Sequence, residues 1–386
     1  MAVGGKRVLV SGAGIAGPAV AHWLGRAGAE VTVVEAACAV RAGGAAVDFR
    51  GPTHLAVLER MGVLGAVQDL ATHGGAMSFV DADDREVFRL PAEFAGGDVE
   101  VRRGDLAGLL VERAPADYRF GTSVRSLRQG ADGVVADLGA GPERFDLVIG
   151  ADGVHSGVRR LAFGPERGFV RHLGHHIATW SLPNTFGPCP ASRYHCSPGR
   201  TAAISVDPRT PDRATAMALF ISPPTTRDPR ELIVDRLSGM GWHTPALLAG
   251  LPTADDLFAD SLTRVRVPRW SHGRVVLLGD AAWGVTLGGM GTGTALVGAH
   301  VLAGELATGD WPQALKAYED RIRRYAAVWQ RGANPGRFLA PRTAWGLRAR
   351  DALMSSAVVQ RWMVSSTQKL AQTPALPDYA WEPVRG

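Results

Sequence analysis

A short apolar strand, Arg7-Val8-Leu9-Val10, runs directly into Ser11-Gly12-Ala13-Gly14-Ile15-Ala16-Gly17. A helix-compatible stretch from Pro18 to Arg26 follows, and then a second apolar strand, Glu30 to Val34, that ends on Glu35. Strand, Gly-x-Gly-x-x-Gly, helix, strand and acid in this order are the parts of a dinucleotide-binding βαβ unit. Gly12 permits the tight turn, Gly14 lets the backbone approach a pyrophosphate, and Gly17 lets helix and strand come close. The residues between them, Ala13, Ile15 and Ala16, carry no polar side chain, which leaves the N–H groups at the helix start to face phosphate. Glu35 is placed to accept both hydroxyls of an adenosine ribose, so FAD or NAD fits better than a 2′-phosphorylated cofactor.

Two later turns repeat the theme of a buried strand opening into small residues. Phe145 to Gly150 leads into Ala151-Asp152-Gly153-Val154-His155-Ser156, and Gly273 to Leu278 leads into Gly279-Asp280-Ala281-Ala282-Trp283. A glycine-rich loop, Gly288-Gly289-Met290-Gly291-Thr292-Gly293, then enters a helix expected from Thr294 to Thr308. In an open α/β sheet, ligands bind beyond the carboxyl ends of the strands, so the turns at Gly12, Gly150 and Gly279 are expected to converge on one long cofactor.

Between these returns the pattern changes. Met77 to Leu90 alternates around a turn at Asp81 to Asp84 and reads as a hairpin, after a helix expected to be capped by Thr53. From Phe169 to Leu262, strands separated by Pro-rich turns include His176 to Leu182, Thr201 to Val206 and Ala214 to Ser222, with one helix over Pro229 to Met240. We assign both regions to one antiparallel sheet. The fold class is thus α/β: a Rossmann-like nucleotide domain over 1–76, 95–168 and 263–325, an inserted antiparallel β-sheet domain over 77–94 and 169–262, and C-terminal helices over 326–386. Breaks in those helices are expected at Asn334-Pro335-Gly336 and at Pro341.

The 46% hydrophobic and 20% charged balance is that of a globular protein. Two uncharged stretches, Val8 to Gly25 and Ala281 to Gly304, are too rich in glycine for membrane spans, and the apolar N-terminus is spent on strand, turn and helix; a cytoplasmic protein is expected. Cys38, Cys189 and Cys196 form no Cys-x-x-Cys, and His175-His176 point to opposite faces of a strand, so no metal site is expected. Nine arginines against one acid between Arg321 and Arg361 make a basic C-terminal face. No nucleic-acid motif accompanies it, and it reads as a solvated helical surface.

With these motifs in hand, the chain resembles the flavin-dependent monooxygenases of the aromatic hydroxylase type, the fold of para-hydroxybenzoate hydroxylase and of the tetracycline-inactivating monooxygenases. The Gly12/Gly14/Gly17 motif with Glu35, the Asp-Gly motif around Asp152 and the Gly-Asp motif at Gly279-Asp280 stand in the family's order across nearly the whole chain. The resemblance implies non-covalent FAD, with NAD(P)H as a transient reductant that arrives near Asp152 and Arg41. It further implies that Arg103 reaches the flavin's phosphate and ribityl region, that Asp48 lies beside the ring, and that Gly289, Met290, Gly291 and Thr292 line it.

The family's His after Gly-Asp-Ala-Ala and its Pro four residues later are here Trp283 and Leu287, and a later Asn and Asp are Gly293 and Gly298. The implied reaction is insertion of one oxygen atom of O₂ into an aromatic or polycyclic small molecule through a flavin C4a-hydroperoxide, with flavin reduction delayed until substrate is bound. The same scaffold also supports oxidase, reductase or ring-forming chemistry, or a flavin-bearing accessory role. Trp180, His195 and Phe220 on the inserted sheet, with Trp283 and Leu287, are the candidate substrate contacts. A monomer or homodimer is expected.

Overall fold

The fold is that of a computed structural model describing residues 2–41, 46–72, 75–92, 94, 97–287, 290–330, 334–371, 376–379 and 381 of the 386. At its centre is a six-stranded sheet. Its order is β17 (Ser271–His272), β18 (Val275–Leu277), β11 (Leu147–Gly150), β1 (Arg7–Ser11), β2 (Glu30–Glu35) and β7 (Asp117–Phe120). The strands from β18 to β7 are parallel, and the two-residue edge strand β17 runs against them.

Parallel strands must be covered on both faces, which is why the interiors of β1 and β11 read as apolar runs and that of β2 is apolar but for the buried Thr32. Their cover includes helices Ala16–Arg26 and Gly291–Thr308. A small antiparallel sheet of β10 (Pro142–Phe145), β9 (Gly133–Asp137) and β8 (Ser126–Gly130) adds Phe145, Val134 and Ala136 to the same core. Helix Gly291–Thr308 is buried nearly all round, as a sequence with Glu305 as its one charged residue requires. Among the described residues no helix is long and apolar enough to cross a membrane.

A seven-stranded sheet has the order β16 (Phe258–Val265), β12 (Val170–Pro183), β15 (Arg213–Ile221), β14 (Arg200–Ser205), β13 (Ala191–Ser197), β4 (Ala76–Val80) and β5 (Glu86–Leu90). The hairpin of β4 and β5 therefore joins the strands of the later insertion, as expected. The sheet is mixed rather than wholly antiparallel, because β4 pairs parallel with β13. Strands joined by a tight turn must run antiparallel. β4 and β13 lie far apart in the chain, and no such turn links them.

Side chains of this sheet alternate between two apolar layers. Ala178, Trp180, Leu182, Ala202, Ile204, Ala216, Ala218 and Phe220 form an outer face closed by Leu232, Ile233, Leu237 and Leu247 of helices Pro229–Leu237 and Thr244–Gly250. Phe88, Phe79, Tyr194, Met217, Ile177, Leu219 and Leu262 form an inner face, on which Leu287 packs.

A two-stranded antiparallel ribbon pairs β3 (Ala46–Phe49), which runs into helix Gly51–Arg60, with β6 (Val99–Arg102), which runs into helix Arg103–Arg113. Helix Gly51–Arg60 starts two residues before the expected Thr53 cap. Pro52 suits a first helical turn, and Asp98 accepts the Gly51 N–H at 2.6 Å from another segment. The C-terminal helices are Trp311–Gln330, Pro335–Leu339, Ala344–Met354 and Ala357–Ala371.

Candidate active site

The turns that follow β1, β11 and β18 leave the sheet side by side, since Ser11 is in register with Gly150 and Gly150 with Leu277. Their contact is backbone to backbone. A Cβ on Gly12 would stand 2.5 Å from the Ala151 carbonyl oxygen, and one on Gly17 1.8 Å from that of Gly12, so both positions require glycine. Beside Gly14 there is open space. Helix Ala16–Arg26 begins at Ile15 with no side chain capping its N–H groups. Glu35 lies at the end of β2 and accepts the Ala13 N–H at 2.9 Å and the Ala37 N–H at 3.0 Å, which ties the acid to the glycine turn.

Asp152 works inside the second turn. Its carboxylate accepts from the Ser156 hydroxyl, from the Val158 N–H at 3.0 Å and from the Ser11 hydroxyl at 3.4 Å. Arg159, which motif reading left without a role, is fully buried. It donates to the Ala281 carbonyl at 2.9 Å and the Val154 carbonyl at 2.6 Å, bolting the second turn to the third. Burial lowers its pKa, opposed by the carboxylates of Glu166 and Asp152.

The third turn carries Gly279 and Asp280, and a Cβ on Gly279 would meet that of Ala16 at 3.1 Å. Burial pushes the Asp280 carboxyl pKa up, and the Arg103 charge opposes this, so residues far apart in the chain act on each other here. Gly291 lies above Asp280: a Cβ there would stand 3.2 Å from Asp280 Oδ1. Met290 precedes it in the left-handed region at φ 49°, as does Leu287 at φ 65°. Two left-handed non-glycine residues in one loop are a local strain of the kind that gathers at functional sites.

Helix Gly291–Thr308, with Thr292 in its first turn, likewise starts with no side-chain cap. Asp48 on β3 is paired with Arg50 at 2.5 Å. Arg41 and Arg103 are exposed. Gly289, with Gly288, lies outside the described residues. These residues fit FAD: open space at Gly14, two uncapped helix starts for anionic oxygens, an acid at Glu35 for ribose and a cation at Arg103.

The structure separates the expected substrate contacts. Trp180, His195 and Phe220 all belong to the outer face: Trp180 is in register with Ala216, His195 with Ala202, and Phe220 with His176 and Arg200. Trp180 donates Nε1–H to the Leu247 carbonyl at 3.2 Å inside the closed layer. His195 packs on Trp242 and Phe220 on His176. The strand parity is the opposite of the one that faces Leu287.

Trp283 also turns away. Its ring is buried 4.5 Å from that of Trp270, in a groove left by Gly298, where a Cβ would meet Trp283 Cη2 at 3.0 Å. It forms part of the wall of a cleft of about 410 Å³ between the Val265–Trp270 segment and helix Trp311–Gln330. Leu287 alone of the five packs on the inner face.

The profile of the FAD-binding-domain family matches residues 6–331. The chain is 41% identical to an uncharacterized protein of Mycobacterium tuberculosis over 322 residues, covering 79% of this chain and 86% of that one. It is 33% identical to a flavin-dependent monooxygenase of Legionella longbeachae over 341 residues, covering 84% and 87%. Among solved structures, tetracycline destructase Tet(51) superimposes with a TM-score of 0.83 at 27% identity, over 97% of this chain and 99% of that one. The chain therefore belongs to the FAD-binding-domain family, as a flavin-dependent monooxygenase of the aromatic hydroxylase fold.

Proposed function

We propose that this flavoprotein uses NAD(P)H and O₂ to hydroxylate or oxygenate an aromatic or polycyclic small molecule held against the inner face of the seven-stranded sheet. The observation that carries the reading is the inner face itself. Phe88, Phe79, Tyr194, Met217, Thr179 and Phe258 lie in register across it, and Leu287 reaches it from the loop after Asp280. At one end Arg350 lies 4.9 Å from the Phe79 ring centroid and closes the row. The other end, with Met217, Phe258 and Leu287 only half-buried, is where we assign substrate. A broad apolar wall with few polar groups suits a flat, ring-containing molecule. The solved relative of high structural similarity is named for tetracycline, a polycyclic compound.

In this reading the FAD pyrophosphate lies along Gly12 to Gly17, the ribose at Glu35, and the ribityl chain and ring along Arg103, Gly279, Asp280 and Gly289 to Thr292, with Asp48 beside the ring. Arg41 and Asp152 serve the arriving nicotinamide, Asp152 by shaping its turn. Hydride acceptance and O₂ activation are chemistry that FAD supplies when bound. The residues position substrate and exclude water. The segments 1–76, 95–168 and 263–325 would form the FAD domain, 77–94 and 169–262 the substrate domain, and 326–386 a helical cover, in a cytoplasmic monomer or homodimer.

The test is NADPH oxidation by the holoprotein with tetracycline, salicylate or p-nitrophenol as probes. Faster NADPH oxidation with a ring-containing probe than without one is expected. The same slow rate with all three and with buffer would contradict the aromatic reading.

A further inference from the structure

His54 lies in helix Gly51–Arg60 and takes no part in the site as described so far. It is fully buried, and its ring occupies the space a side chain at 293 would need, since a Cβ on Gly293 would stand 2.2 Å from His54 Cε1. The Arg50 backbone N–H donates to Nδ1 at 3.1 Å. With Nδ1 accepting, the ring proton of a neutral imidazole is on Nε2, which faces the Tyr325 hydroxyl at 2.6 Å and donates to it. Burial first, and then the Arg50 charge, push the His54 pKa down to about 4, so the ring is neutral near pH 7.

One imidazole therefore touches three elements. Through Arg50, and through the Phe49 ring set edge-on at 6.4 Å, it holds the exit of β3, two residues beyond Asp48. Through Gly293 it fills the first turn of helix Gly291–Thr308, whose start at Met290 is left-handed and has no side-chain cap. Through Tyr325 it is anchored to helix Trp311–Gln330. An uncapped helix start is held in place by what packs against it, and here the packing partner is His54.

We propose that His54, oriented by Tyr325, is a positioning residue that sets the start of helix Gly291–Thr308 against the end of β3 and thereby sets how firmly the flavin ring is held between them. The inference rests on the reading above that these two segments flank the ring. It requires no change in the protonation of His54 and no contact with substrate.

The test compares the holoprotein with Tyr325→Phe, which removes only the acceptor hydroxyl, with His54→Leu, and with His54→Gln, whose amide can keep an acceptor and a donor. Val57→Ala, a core truncation in the same helix, is the control for loss of stability alone. For each, the FAD dissociation constant, the visible absorption bands of the bound flavin and Tm are measured. The expected result is a rise in the FAD dissociation constant of about fivefold or more for Tyr325→Phe and His54→Leu, with shifted flavin bands. His54→Gln should recover most of the affinity, and Val57→Ala should lower Tm without moving the bands. Flavin affinity and bands in Tyr325→Phe that match the parent, or that change no more than in Val57→Ala, would overturn the proposal while leaving the FAD site intact. A parent that holds no FAD would overturn the reading of the site, and the proposal with it.

Discussion

Gly298 and Trp283 occupy each other's space. Ala at 298 would place a methyl 3.0 Å from Trp283 Cη2 and 3.2 Å from Leu278 Cδ1. In a packed core such crowding costs about 1–3 kcal/mol. Trp283→Ala alone opens a cavity that costs about 3–5 kcal/mol. The two changes share one space, so they should not add. In denaturant unfolding, Gly298→Ala is expected to destabilise the parent and to be neutral or stabilising in the Trp283→Ala background; equal penalties in both would show that the ring lies elsewhere. Glu35 gives a second residue-level test. Its carboxylate supports Ala13 of the glycine turn and, in the proposed reading, would accept the ribose hydroxyls, and hydrogen bonds to charged groups contribute about 1.5–3 kcal/mol each. Glu35→Ala should therefore weaken FAD retention on gel filtration, and equal occupancy in mutant and parent would show that the ribose is held elsewhere.

Among the elements, the turn after β11 is joined to β16 by His155. Its ring pairs with Glu166 at 3.0 Å and with Asp260 at 3.4 Å. The hydrogen bond to Asp260, then that to Glu166, outweigh burial and raise its pKa to about 9 from 6.5. A raised histidine pKa means stabilisation that is complete below pH 6.5 and is lost as pH climbs through about 9. The ring is more than half exposed, so solvent screens the effect and it is small. The Tm gap between parent and His155→Gln should be widest just below pH 6.5 and vanish above about pH 9. A gap independent of pH would mean that the ring contributes by packing alone.

The elements differ in how far the chain announced them. The opening βαβ unit and the buried strands β11 and β18 were readable because glycine spacing and unbroken apolar runs have few other uses. β13, Ala-Ser-Arg-Tyr-His-Cys-Ser, has no clear alternation and was not anticipated. In a sheet covered on both faces, large residues of either parity look like core. Nothing local distinguished Trp180 and Phe220 on the outer face from Met217 and Phe258 on the inner one. His54 was silent for a related reason, since its partners, Gly293 and Tyr325, are remote in the chain.

At the scale of the whole molecule, the two large sheets meet where catalysis would take place. β16 is stitched to the loop after Asp280: the Val265 N–H donates to the Gly284 carbonyl at 2.8 Å, the Thr286 N–H donates to the Thr263 carbonyl at 3.1 Å, and the two threonine hydroxyls lie 3.0 Å apart. Leu287 follows directly, so the segment that ends the cofactor side also supplies a wall of the apolar inner face. In the proposed reading, one continuous piece of chain sets both the cofactor and the substrate side, and a flat molecule on the inner face would lie beside the flavin ring. The most direct test of oxygen insertion is turnover under ¹⁸O₂ with NADPH and a probe that stimulates its oxidation, followed by mass spectrometry of the organic product. One labelled oxygen atom in the product is the result predicted here, and a transformed product free of label would contradict it.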